Sequence, residues 1–209
     1  MSAATSKLPR VRRVPDSSGV IAQLFPEQGD WSEDEYLALD TNRRVEFSDG
    51  FLELLPLPTT SHERIVKFLF LLLHAFVEVR GLGEVFCAGI RVRLRPGKIR
   101  MADVLFMSAE HEERMGEQCW EGVDLAMEVV SEDRKRDLVT KREEYALARI
   151  REYWIVDPKK ERITVLRLSR GRYVTHGEFV KGMQATSALL KGFSVDVTEA
   201  FQAQRKKRK

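Results

Sequence analysis

Val123 to Val130 reads V-D-L-A-M-E-V-V, a nearly unbroken apolar run of strand length. Such a run fits a strand covered on both faces, at the centre of a sheet. Glu128 inside it is out of place, because an isolated carboxylate taken out of water is costly. The segment R-M-A-D-V-L-F-M carries a second acid, Asp103, in the same kind of surroundings. A helical segment follows, D-R-K-R-D-L-V-T-K-R-E-E-Y-A. Leu138, Lys141, Tyr145 and Ala148 recur there at the spacing of one helix face, so Lys141 lies on the stripe that packs on the sheet. Two embedded acids and a lysine read as a metal-dependent hydrolytic site. Structural ion pairs would give the same pattern: Lys141 can snorkel outward, and Asp137 sits four residues before it.

Other elements frame these. W-S-E-D-E-Y-L begins a short helix with Ser32 as N-cap. R-R-V-E-F-S-D-G-F-L-E-L-L is a hairpin turning at Asp49-Gly50, with Glu46 and Glu53 in its arms. Either acid reads as a solvent-facing strand residue, and Glu46, flanked by Val45 and Phe47, fits either face. Thr60 and Glu63 are spaced as a capping box that opens a long helix, apolar around much of its circumference and ended by Gly81 and Gly83. His62 stands in its first turn, facing solvent or a pocket. Ile90, Val92 and Leu94 alternate with arginines in a half-exposed strand. After Pro96-Gly97 the chain returns as one strand through Met107 with Asp103 in its middle. Glu110, His111, Glu112 and Glu113 read as a solvated segment. Further strands are expected at E-Y-W-I-V-D, Arg162–Leu168 and Arg172–His176.

Charge is uneven. The chain has 35 basic and 32 acidic residues, a formal +3, in 209 residues. Four basic groups fall within residues 1–15, and five more within Arg205–Lys209. Removing those nine leaves 26 basic against 32 acidic residues, so the body carries −6. The basic ends suit either phosphate contact or plain solubility. No apolar run reaches the roughly 20 residues of a membrane span. The N-terminus lacks the apolar core of a secretory signal, and Cys87 and Cys119 form no ligand pair. A cytoplasmic protein is expected, with an extension over 1–28, one domain over 29–202 and a basic tail over 203–209.

Phosphodiester hydrolysis with Mg²⁺ or Mn²⁺ needs few protein ligands, because such ions keep waters and take oxygens from phosphate. Asp103 and Glu128 on neighbouring strands, with Lys141 beside them, supply those parts. The motifs V-E-F-S-D-G-F-L-E-L, H-E-R-I, A-D-V, A-M-E-V-V-S-E, D-L-V-T-K-R-E-E-Y-A and E-Y-W-I-V-D-P, in this order, resemble the largely bacterial Uma2 family, also called DUF820, from about Trp31 to Phe201. That family is similar to the PD-(D/E)XK nucleases. The resemblance implies an α/β (α+β) fold with a restriction-endonuclease-like core, a central mixed sheet flanked by helices. It implies a divalent-metal site using Glu46, Asp103, Glu128 and Lys141, with the Val129 carbonyl as a further ligand, and it leaves the helix-start His62 without a role. Ala102 stands where the family usually has proline, and Val130 where the parent motif has lysine. On this view Lys141 is the relocated lysine.

The function implied is a Mg²⁺- or Mn²⁺-dependent endonuclease acting on DNA, with a homodimer expected by analogy to nucleases that cut two strands. The alternative is a non-catalytic module of the same fold that binds nucleic acid or protein. A hydrolase of another phosphate ester is a third reading.

Overall fold

The computed structural model describes residues 25–204 except Asn42. The basic groups of residues 1–15 and of the tail from Arg205 lie outside the described residues, as does the expected extension up to residue 24. Phe25 already stacks on Trp31, 5.9 Å between ring centres, and the Gln28 side chain accepts from the Leu52 N–H.

The first helix, α1 (Glu33–Leu37), has Ser32 as N-cap and Glu35 completing a capping box. Strands β1 (Val45–Ser48) and β2 (Phe51–Leu54) form the expected hairpin. Asp49 and Gly50 both have positive φ, 50° and 88°, as a tight two-residue turn requires. A Cβ on Gly50 would fall 2.1 Å from the Gly29 carbonyl oxygen, so the position demands glycine. The long helix is α2 (Thr60–Glu78). Its N-cap is Thr59, whose hydroxyl accepts the His62 N–H, and not Thr60. Among the described residues no helix is long and apolar enough to cross a membrane.

After β3 (Gly83–Cys87) and β4 (Val92–Arg95) the strand expected to run unbroken through Met107 is split. Its first part, β5 (Lys98–Arg100), pairs with β1 and β4; its second, β6 (Val104–Ser108), pairs with β3 and with β8 (Leu125–Val129). The break has an identifiable cause. Beyond the Phe47–Ile99 pair the Met101 N–H is taken by the Glu46 carboxylate at 3.0 Å. A side chain replaces the ladder there, and the chain crosses into the other sheet with Asp103 at the crossing. The remaining strands are β7 (Trp120–Glu121), β9 (Glu152–Asp157), β10 (Arg162–Ser169), β11 (Arg172–Val180), β12 (Gln184–Thr186) and β13 (Ser194–Asp196). Helices α3 (Lys141–Leu147) and α4 (Val197–Ala203) complete the fold.

The strand orders are β2-β1-β5-β4-β7 in one sheet and β11-β10-β9-β8-β6-β3 in the other, with β12-β13 apart. The larger sheet is mixed, since β8 runs parallel to β9 and antiparallel to β6. Strand β8 is buried throughout, as its composition demands. Leu125, Met127 and Val129 join the core formed with α2, while Ala126 and Val130 join the opposite core with Tyr145 and Ala146 of α3. Period-two alternation puts Glu128 on the α3 side.

Two buried acids serve the fold. Glu152 accepts from the Trp154 indole, the Ser187 hydroxyl and the Ala188 and Leu189 N–H groups at 2.6–2.7 Å, tying the segment after β12 to the sheet. Asp124 accepts the Ser108 N–H and faces His111 Nδ1 at 2.8 Å. Among the four polar residues Glu110 to Glu113, His111 is thereby fastened to the sheet.

Candidate active site

Asp103, Glu128, Lys141 and Glu46 are all buried, with relative exposures of 5%, 2%, 5% and 0%. Asp103 Oδ2 accepts the Val129 N–H at 2.9 Å. The His62 ring, brought in by the first turn of α2, places Nε2 3.2 Å from that same oxygen and 3.2 Å from the Val129 carbonyl oxygen. Arg44 Nη2 stands 3.6 Å from the other oxygen, Oδ1.

Glu128 Oε1 meets Lys141 Nζ at 2.8 Å and accepts the Tyr145 hydroxyl at 2.6 Å. The helix carrying these partners is not α-helical throughout. Arg136–Thr140 form a π turn ahead of α3, a wider turn that often marks a functional position in a helix. Asp137 within it accepts both the N–H and the hydroxyl of Ser131 at 2.8 Å. It stands only 3.8 Å from Lys141 Nζ, so the Glu128 pair is the closer of the two.

Glu46 is engaged differently. One oxygen accepts the Met101 N–H, and the other meets Arg100 Nη1 at 3.2 Å and Arg136 Nη2. Glu53, directly across the hairpin from Glu46, meets the same two arginine nitrogens at 2.9 Å. Glu144 holds the far side of Arg100 through two contacts of 2.8 Å. The Glu46 carboxylate thus closes an ionic network at the rim of the Asp103–Glu128–Lys141 group. Arg44, Arg100, Arg136, Asp137 and Tyr145 were not singled out from the sequence as site residues. Arg44 lies two positions before Glu46 and Tyr145 four after Lys141, and those spacings were the available signals.

Residues 33–198 match the model of the Uma2 family, described as "Putative restriction endonuclease". The chain belongs to the Uma2 family. The fold agrees with the crystal structure of a protein described as a putative nuclease belonging to DUF820 from Anabaena variabilis ATCC 29413. The TM-score is 0.68 at 17% identity, covering 84% of this chain and 99% of that one. No curated protein shows a significant sequence match.

Electrostatics in this Uma2 chain follow from burial. Burial pushes the Glu128 carboxyl up to about 8 against the pull of Lys141. Burial also disfavours charge on Lys141, but Glu128, Glu46, Asp137 and Asp103 outweigh it and hold the ammonium protonated. For Asp103 burial acts upward, yet His62, Lys141 and the Val129 N–H keep it below its ordinary value. His62 is raised above 6.5, its burial outweighed by Asp103.

A pH dependence of stability follows. Between 4.5 and about 8 the unfolded chain has released the Glu128 proton that the folded chain retains, so stability falls as pH rises. His62 adds to the same trend, its contribution complete below 6.5 and lost as pH climbs through its raised folded value. The melting temperature of the metal-free protein is expected to fall from about pH 6 to pH 9, and the fall to be shallower in Glu128→Gln. Equal slopes in thermal melts of the two proteins would remove Glu128 as a source.

Among the described residues no three His, Cys, Asp or Glu side chains converge as a ready-made metal cluster. The donors that meet are the Asp103 carboxylate, the Val129 carbonyl oxygen and His62 Nε2, with Glu128 next along β8 turned to Lys141 and Tyr145. That set fits a hexacoordinate ion that completes its shell with water and phosphate oxygens. A cation there would also relieve the burial that lifts Glu128.

Proposed function

We propose that this Uma2 protein hydrolyses phosphodiester bonds of DNA with a divalent cation, Mg²⁺ or Mn²⁺, held by Asp103, Glu128 and the Val129 carbonyl. The observation that carries the reading is the convergence of three buried groups: the Asp103 carboxylate on the Val129 N–H at 2.9 Å, and the Lys141 ammonium 2.8 Å from Oε1 of Glu128, one residue before Val129. Two buried acids at one strand end with a fixed ammonium beside them are what a hydrolytic site needs to hold a cation and to stabilise developing charge.

When bound, the cation polarises the phosphoryl oxygen and lowers the pKa of an attacking water. Lys141 then stabilises charge developing on the phosphoryl oxygens or orients the nucleophile. Tyr145, donating to Glu128 Oε1, fixes that carboxylate's orientation. Glu46 acts as a positioning residue through Arg136 and Arg100. Among the described residues four buried side-chain nitrogens lack a hydrogen-bond partner, and three of them, Arg44 Nε, His62 Nδ1 and Arg136 Nε, border this group. A pair of chains serving the two strands, in a bacterial cytoplasm, completes the reading.

The test is a cleavage panel with purified protein: supercoiled plasmid, linear duplex, single-stranded DNA, RNA and a small phosphodiester, each with Mg²⁺, Mn²⁺ or chelator. Metal-dependent nicking or cutting of DNA, abolished by chelator, is expected. Turnover of RNA or of the small ester alone would reassign the substrate, and binding of DNA without any cleavage would favour a non-catalytic module.

A further inference from the structure

His62 has no role in the family resemblance, and as a first-turn residue it could have faced solvent. The fold turns it inward instead, with Nε2 3.2 Å from Asp103 Oδ2 and 3.2 Å from the Val129 carbonyl oxygen. Both oxygens belong to the donor set of the proposed cation. Neighbouring ligands of an octahedral ion with bonds of about 2.1 Å lie about 3.0 Å apart. The ring nitrogen thus stands from each oxygen at nearly the separation of adjacent ligands in one shell. This nitrogen from α2 meets one oxygen from the strand crossing and one from β8.

Behind the ring, Glu63 Oε1 lies 3.7 Å from Nδ1, which has no hydrogen-bond partner. The other three histidines are engaged elsewhere: His74 stacks on Phe70, His111 faces Asp124, and His176 contacts Thr186.

We infer that His62 is a direct ligand of the cation, through Nε2, and that this nitrogen makes the site select Mn²⁺ over Mg²⁺. The inference rests on the metal reading given above. Mg²⁺ is a hard ion that favours oxygen and holds its water tightly, whereas imidazole suits the transition metals and gains strength along that series. Without His62 the set is all oxygen and has no such bias. With the ring deprotonated at Nε2, the contact now made to Asp103 and Val129 is exchanged for the metal bond, and the proton leaves to solvent.

The test uses the full chain and the metal alone. Mn²⁺ is bound at one equivalent and its electron spin echo modulation recorded, with dissociation constants for Mn²⁺ and Mg²⁺ from calorimetry. Modulation from one ¹⁴N nucleus is expected, replaced by the ¹⁵N pattern when the wild-type protein carries ¹⁵N-histidine, a control that needs no substitution. His62→Gln is expected to lose the modulation and to weaken Mn²⁺ by about tenfold or more, with Mg²⁺ changed less than about threefold. Mn²⁺ bound with no histidine modulation would overturn the inference and leave the metal reading standing. Modulation that survives in His62→Gln, or equal weakening of both ions, would also overturn it. Failure of the wild type to bind Mn²⁺ would overturn both.

Discussion

Asp103→Asn is expected to lower metal-dependent DNA cleavage by about a thousandfold or more while the protein still folds. The substitution keeps the shape of a side chain that already accepts the Val129 N–H at 2.9 Å. It removes the charge that binds the cation and leaves His62 Nε2 facing an amide. The expected profile is weak Mn²⁺ binding in calorimetry, near-normal thermal unfolding, and loss of nicking that excess metal only partly restores. Normal Mn²⁺ affinity with lost activity would move Asp103 from the metal to the nucleophile, and unchanged cleavage would remove it from the site.

Lys141→Met tests the other half of the constellation. Methionine has nearly the length of lysine and no charge. Removing the ammonium takes the donor from Glu128 Oε1 and the nearby cation from Asp137, so stability is expected to fall by about 1–3 kcal/mol. Cleavage is expected to fall by about a hundredfold, the scale of a lost transition-state donor. Mn²⁺ affinity, by contrast, is expected to hold or rise, because a positive charge has been taken from beside the cation. That opposite sign separates a residue acting on the phosphoryl group from one that holds the metal. Urea denaturation, calorimetry and the nicking assay read the three effects. A variant that lost metal binding and kept its turnover per bound ion would contradict the role given to Lys141.

The juxtaposition of Glu128 with Lys141 was legible from short-range pattern alone. An apolar run with one acid, and a 3.6-residue stripe with one lysine, each point inward, and the parallel pairing of β8 with β9 makes α3 part of the crossover that packs on the face of β8. The hairpin at Asp49-Gly50 was equally local. The split of the expected strand at Met101 was not, because its cause is a carboxylate 55 positions upstream that takes one backbone N–H. Ladder competition of that kind leaves no periodic trace. The partners of Glu46 were hidden for the same reason: Arg100 and Arg136 come from different elements, and arginines in a charged chain carry no spacing signal. The π turn at Arg136–Thr140 interrupts a run that reads as ordinary helix. At α2 the choice between Thr59 and Thr60 as N-cap lay between identical side chains, and the hydroxyl that reaches the His62 N–H decides it. His62 was visible as a residue and silent as a ligand, since its partners are a backbone carbonyl and an acid 41 positions later.

The most direct test of the metal-centred account is anomalous diffraction from crystals of the full chain grown or soaked with Mn²⁺. A single strong peak within about 2.3 Å of a carboxylate oxygen of Asp103 and of the Val129 carbonyl oxygen, with Glu128 in the same shell, is the predicted result. Mn²⁺ bound elsewhere, with Asp103 still on His62 and Glu128 still on Lys141 at full metal occupancy, would contradict it.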